Sequence, residues 1–93
     1  MQGITLDNNK YKLIVNYRDG FDLEALKEKY TEYFYPYDYI LGDWSYGKVR
    51  LKGFYKPENK NCTDINNFKN HETYLKDNCA YECRHFIIEK VVE

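Results

Sequence analysis

Apolar and polar residues alternate with a period of two in "KYKLIVNY". Tyr11, Leu13 and Val15 fall on one side, and Lys10, Lys12, Ile14 and Asn16 on the other. This pattern predicts a strand with the first set facing inward. Upstream, "DNNK" separates the strand from "ITL". Asp and Asn tolerate turn conformations, so the chain opens as a β-hairpin. Past a turn at Gly20 the period changes. Leu23, Leu26, Tyr30, Tyr33 and Phe34 recur at helical spacing. Asp22 suits the N-cap, where its carboxylate takes a free backbone N–H. Phe21 before the cap and Leu26 four residues after it fit a hydrophobic staple. Pro36 disfavours helix at Tyr35, so the spacing predicts a helix over 22–34.

The second half repeats the alternation. "YDYILGDW" predicts a short strand over 38–42, and "SYG" turns the chain. Val49 and Leu51 then alternate with Lys48, Arg50 and Lys52 in an antiparallel return strand. "KPENKNCTD" is a polar loop. A shorter helix is expected over 70–79, with Asn70 as cap and Tyr74 and Leu75 as its main apolar residues. "RHFIIEKVV", rich in β-branched residues, ends the chain as a strand. The order is β-hairpin, helix, β-hairpin, helix, strand. It predicts an α+β fold in one domain spanning 1–93, a mostly antiparallel sheet with two helices on one face. Its βαββαβ core matches the ferredoxin-like split βαβ arrangement.

Composition adjusts this picture in two ways. Among the 93 residues are eleven Tyr, five Phe and one Trp, against one Met. Tyrosine carries an apolar ring and a polar tip, so a thin core with a tyrosine-rich border is expected. Fourteen cationic and fifteen anionic side chains nearly cancel. A whole-surface attraction to phosphate backbones needs a cationic excess and is not supported. "MQGITLDNNKYK" has neither the basic nor the apolar region of a secretory leader, and no stretch nears the roughly 20 apolar residues of a membrane span. Three cysteines, an odd number, then suggest reduced thiols in a cytoplasmic protein without a membrane partner.

Three pieces carry a family resemblance: "NYRDGF" (16–21), "YDYILGDWSYGKVRLKGFY" (37–55) and "YLKDNCAYECRHFIIEKV" (74–91). In this order they resemble the YutD-like family of small bacterial proteins. The most specific parts are the GDW–YG–RLKGF run and the Cys-x-x-x-Cys before the last strand. Lys56 to Thr73 departs most from the family, and His71 and Arg84 depart from its usual pattern. The resemblance implies a compact α+β domain from a bacterial cytoplasm. It implies no substrate.

The residues offer one candidate surface. Lys48, Arg50 and Lys52, two apart, share one face of their strand. Lys56 and Lys60 follow. Residues 46–60 hold five cations and one anion, whereas 22–43 hold six anions and two cations. Tyr46 and Phe54 flank the row, and Trp44 is close in sequence. Cations among rings suit RNA or another single-stranded nucleic acid, through phosphate contacts and base stacking. The same alternation is also the ordinary wet side of an antiparallel sheet, and edge lysines block aggregation. "KGF" at 52–54 continues as Tyr-Lys-Pro, unlike the strand signature of RNA-recognition motifs.

Other chemistry is poorly represented. Cys79 and Cys83 are four apart, unlike the usual redox Cys-x-x-Cys, although a reversible bridge is geometrically accessible. Zinc would need Cys62, His71 or His85 at unsuitable spacing, so no metal site is expected. The default role of the thiols is that of small buried apolar residues. Asp19 and Asp43, beside Gly20 and Gly42, read as turn residues more readily than as an acid–base pair. No catalytic motif is present, and no cofactor is implied. The sequence therefore predicts a non-enzymatic binding module. Its first candidate partner is RNA or single-stranded nucleic acid, at Lys48, Arg50, Lys52 and Lys56 with Tyr46 and Trp44 as stacking rings. The alternative is an acidic protein partner. A thiol sensor at Cys79 and Cys83 comes last.

Overall fold

Two tight turns set the strand pairing. Asp7 and Asn8 both have positive φ, as do Tyr46 and Gly47. Left-handed dihedrals at both central residues match the twist of two-residue hairpins. The first turn joins β1 (Gly3–Leu6) to β2 (Asn9–Tyr17). The second joins β3 (Tyr39–Ser45) to β4 (Lys48–Phe54). The computed structural model describes residues 3–78 and 83–91. Within these the last strand is β5 (His85–Lys90). The five strands form one antiparallel sheet in the order β1-β2-β5-β3-β4.

The α+β class and the antiparallel sheet are as the sequence predicts. Two details differ. A ferredoxin-like sheet places the last strand of its βαββαβ set at an edge, whereas here β5 lies in the centre, between β2 and β3. The helices, expected on one face, lie on opposite faces. Leu26 of α1 (Leu23–Lys29) packs with Ile4, Leu6, Tyr11, Ile40, Phe86 and Ile88. Tyr74 and Leu75 of α2 (His71–Asn78) pack with Leu41, Phe54 and Ile87. The physical reason is visible in β5, where Phe86, Ile87 and Ile88 are consecutive and all buried. A strand apolar on both sides needs cover on both faces.

The local elements follow their chemistry. The Asp22 carboxylate accepts the Ala25 N–H and caps α1. The helix expected over 22–34 stops at Tyr30, whose backbone is extended, and a 3-10 turn at Glu32–Phe34 resumes the path. This keeps Tyr30 and Phe34 in the first cluster. A β-bulge between Leu13 and Val15 breaks the alternation predicted for β2. Leu13 joins the first cluster, and Val15 passes to the second. Before α2, a 3-10 turn at Phe68–Asn70 is capped by Asn67, whose side chain accepts the Lys69 N–H. Asn70, the expected cap, instead donates to the Asp64 carbonyl. Among the described residues, no helix is long and apolar enough to cross a membrane.

Candidate functional site

The cationic row sits on β4, on the face covered by α2. Lys48, Arg50 and Lys52 pair with Ser45, Asp43 and Leu41 of β3. They do share a face, but they do not form one open patch. Asp43 is fully buried, and its Oδ2 accepts a 2.5 Å hydrogen bond from Arg50 Nη2. Arg50 remains 45 % exposed at the side chain. The hydrogen bond to Asp43 raises the guanidinium pKa further and keeps it charged. Asp43 Oδ1 is buried without a hydrogen-bond partner among the described residues. The middle cation of the row therefore neutralises a carboxylate of its own chain. Asp43, expected in a turn, is instead a strand residue opposite Arg50.

The other members of the row differ in environment. Lys48 is exposed beside the turn. Lys52 is half-buried, with its ammonium 5.6 Å from the centre of the Phe54 ring. Lys56 is half-buried in the loop after β4, where its backbone N–H donates to Asp38 Oδ2. The same oxygen accepts from Asn59 Nδ2, which ties the loop back to the start of β3.

The two rings expected to stack on bases differ in placement. Tyr46 occupies the turn with positive φ and is fully exposed. Trp44 pairs with Val49 and packs into the first cluster, on the face away from the cations. Its indole N–H donates to the Gly20 carbonyl at 2.6 Å, and the Arg84 guanidinium lies 4.7 Å from its ring centre. Trp44 is thus a half-buried wedge and does not join the cationic row. The cause is strand parity, since a residue next to Asp43 in β3 must face the other way.

The thiols divide as well. Cys62 is a free, half-buried cysteine, whereas Cys83 is disulfide-bonded. The expectation of reduced thiols thus fails at Cys83, because an odd count constrains numbers and not distances. Cys79 lies outside the described residues. Both imidazoles have carbonyl neighbours: Nδ1 of His71 lies 2.7 Å from the Phe68 oxygen, and Nδ1 of His85 lies 3.1 Å from the Cys83 oxygen. Among the described residues, no three His, Cys, Asp or Glu side chains converge.

Sequence reasoning missed a cleft beside the row. Lys52, Phe54, Asp64, Ile65, Asn70, Thr73, Tyr74 and Asp77 line an open cleft of about 440 Å³ on the α2 face. Its floor is aromatic, with the Phe54 and Tyr74 rings edge to face at 5.7 Å. Burial, aided by the negative charge of Asp43, raises the Tyr74 hydroxyl pKa. A stack of Tyr39, Phe68 and His71, with ring centres 3.7 and 4.3 Å apart, braces α2 against the sheet. Six of the eight lining residues lie in 64–77, where the sequence predicts the end of a polar loop and a short helix but not their approach to β4.

The fold and the cleft can be set beside known proteins. A family model described as "Putative antitoxin YutD-like" matches residues 5–89. A Bacillus subtilis (strain 168) protein named "Putative antitoxin YutD" is 35% identical over 88 residues, covering 95% of this chain and 97% of that protein. The solution NMR structure of protein yutD from B. subtilis superposes with a TM-score of 0.83 at 33% identity, over 100% of this chain and 84% of the other. The match spans both hairpins, both helices and the central strand, and so the chain belongs to the YutD-like family.

Proposed function

We propose that the protein is a non-enzymatic module that acts by binding another protein. One observation carries this reading: Arg50, at the centre of the cationic row, is taken by the buried Asp43. A phosphate-reading strip loses its middle contact, while the aromatic-floored cleft next to it keeps an apolar surface open. Protein interfaces draw on aromatic side chains set among polar ones. The antitoxin name of the B. subtilis relative is consistent with a protein that works by engaging a partner.

The test is affinity capture of the tagged chain from its own cells, with and without nuclease. A protein that stays bound in fixed ratio after nuclease treatment supports the reading. Capture of RNA alone, lost with nuclease, contradicts it.

A second reading keeps RNA or single-stranded nucleic acid as partner. It rests on the fully exposed Tyr46 beside the exposed Lys48 at the β3–β4 tip, a ring and a cation placed for stacking and phosphate contact. In that case affinity for a single-stranded oligonucleotide falls with salt, at a log–log slope of about −0.7 per phosphate contact.

A further inference from the structure

The cleft on the α2 face has a charge pattern that selects among protein partners. Its floor combines Phe54, 1 % exposed, with the half-buried Tyr74. At its mouth Ile65 is 79 % exposed, a large aliphatic side chain left in water next to an apolar floor. The walls carry two carboxylates, Asp64 and Asp77, against one cation, Lys52. That cation already leans on the Phe54 ring. The cleft is also braced: the Asp64 carbonyl accepts from Asn70 Nδ2, tying one wall to the approach of α2. A volume near 440 Å³ lies within the range of about 300–1,000 Å³ in which clefts hold inserted groups.

We propose that this cleft receives an extended segment of the partner protein in which an apolar side chain is flanked by Lys or Arg. The apolar side chain covers Tyr74 and Ile65 above the buried Phe54 ring, and the flanking cations face Asp64 and Asp77. Removing apolar surface from water drives the contact. The opposite charges set orientation and exclude acidic competitors. This inference rests on the protein-binding reading above, but it adds the place and the chemistry.

The experiment uses the full chain, ¹⁵N-labelled, and two short synthetic peptides. One alternates Lys with Leu and Phe; the other carries Glu in place of every Lys. The expected result is saturable shifting of the Lys52, Ile65, Tyr74 and Asp77 amide signals by the Lys peptide and much weaker shifting by the Glu peptide. Asp64→Lys with Asp77→Lys, both at exposed positions, weakens the Lys peptide by about tenfold or more. Ile65→Glu, equally exposed, gives a second loss that does not depend on folding. Equal or tighter binding of the Glu peptide overturns the proposal, as do shifts confined to other surfaces. Repeating the nuclease-resistant capture with the double reversal separates the two readings. A captured protein that persists there removes the cleft and leaves protein binding standing. Absence of any captured protein with the unaltered chain removes protein binding itself.

Discussion

The two faces of the sheet share the same strands and differ in what covers them. On the first face, Leu26, Tyr30 and Phe34 lie over Ile4, Leu6, Tyr11, Ile40, Phe86 and Ile88, and all are buried. Its polar atoms are used internally, as in the 2.8 Å contact between the Tyr11 and Tyr30 hydroxyls. On the second face the buried cluster, among the described residues, is Leu41, Phe54 and Ile87. Around them stand a fully buried carboxylate, a half-exposed guanidinium and a cleft. The first face is built for stability, since dry apolar burial supplies most of the driving force of folding. The second gives up part of that burial and leaves a cleft open.

That contrast can be broken most severely from the first side. Phe86→Ala removes a fully buried ring that packs edge to face with Phe21. It is expected to destabilise by about 3–5 kcal/mol, measured by urea unfolding. Gly42→Ala strikes the same contact from below, because a Cβ at that position meets the Phe86 ring. Overpacking of this kind costs about 1–3 kcal/mol or more.

On the second face the largest effect is electrostatic. Arg50→Ala removes the guanidinium that donates to the buried Asp43 carboxylate, and a loss of about 2–3 kcal/mol is expected. Adding Asp43→Asn to Arg50→Ala should recover part of that loss, because a neutral amide costs less to bury than an unpaired charge. A double-mutant cycle with additive values would contradict the pairing.

A pH scan sharpens the comparison at lower cost to the fold. Burial and a hydrogen bond to Glu89 raise the Tyr39 hydroxyl to about 12. Burial and the Tyr33 hydroxyl raise Tyr37 to about 12 as well. Burial, with Tyr30 close by, raises Tyr11 further. Each folded value exceeds the unfolded one near 10, so the folded state holds its protons longer. The stabilisation is complete below pH 10 and is lost as pH rises through 12. Circular dichroism should show base unfolding in that window. Unchanged stability there would contradict the burial of Tyr11 and the half-buried placement of Tyr37 and Tyr39. The smallest effect is expected at Lys48→Glu: exposed at a hairpin end, it should alter stability by no more than about 0.5 kcal/mol.

Much of the fold was legible in residue periodicity. Both hairpins, the Asp22 cap and the apolar last strand follow from local chemistry that the tertiary structure does not override. The opposite placement of the helices was signalled too: "FII" in β5 has no polar partner positions, which marks burial on both sides. The Asp43–Arg50 pair was also within reach. A two-residue turn at Tyr46 and Gly47 sets Ser45 opposite Lys48, and counting back places Asp43 opposite Arg50. The same count turns Trp44 to the other face. The bulge after Leu13 and the break at Tyr30 were not legible, because packing selects them and local propensity does not. The cleft was hidden for a similar reason. Its walls at Asp64, Ile65 and Asp77 approach Lys52 and Phe54 only once α2 docks on the sheet.

The central claim is that the second face meets a protein through its cleft, and not a nucleic acid through its hairpin tip. A photo-crosslinking side chain placed at position 65, and separately at position 46, tests this directly in living cells. The account predicts that position 65 crosslinks to a protein, at an apolar residue neighboured by Lys or Arg, while position 46 gives little product. Crosslinks to RNA at position 46, with none to protein at position 65, would contradict it.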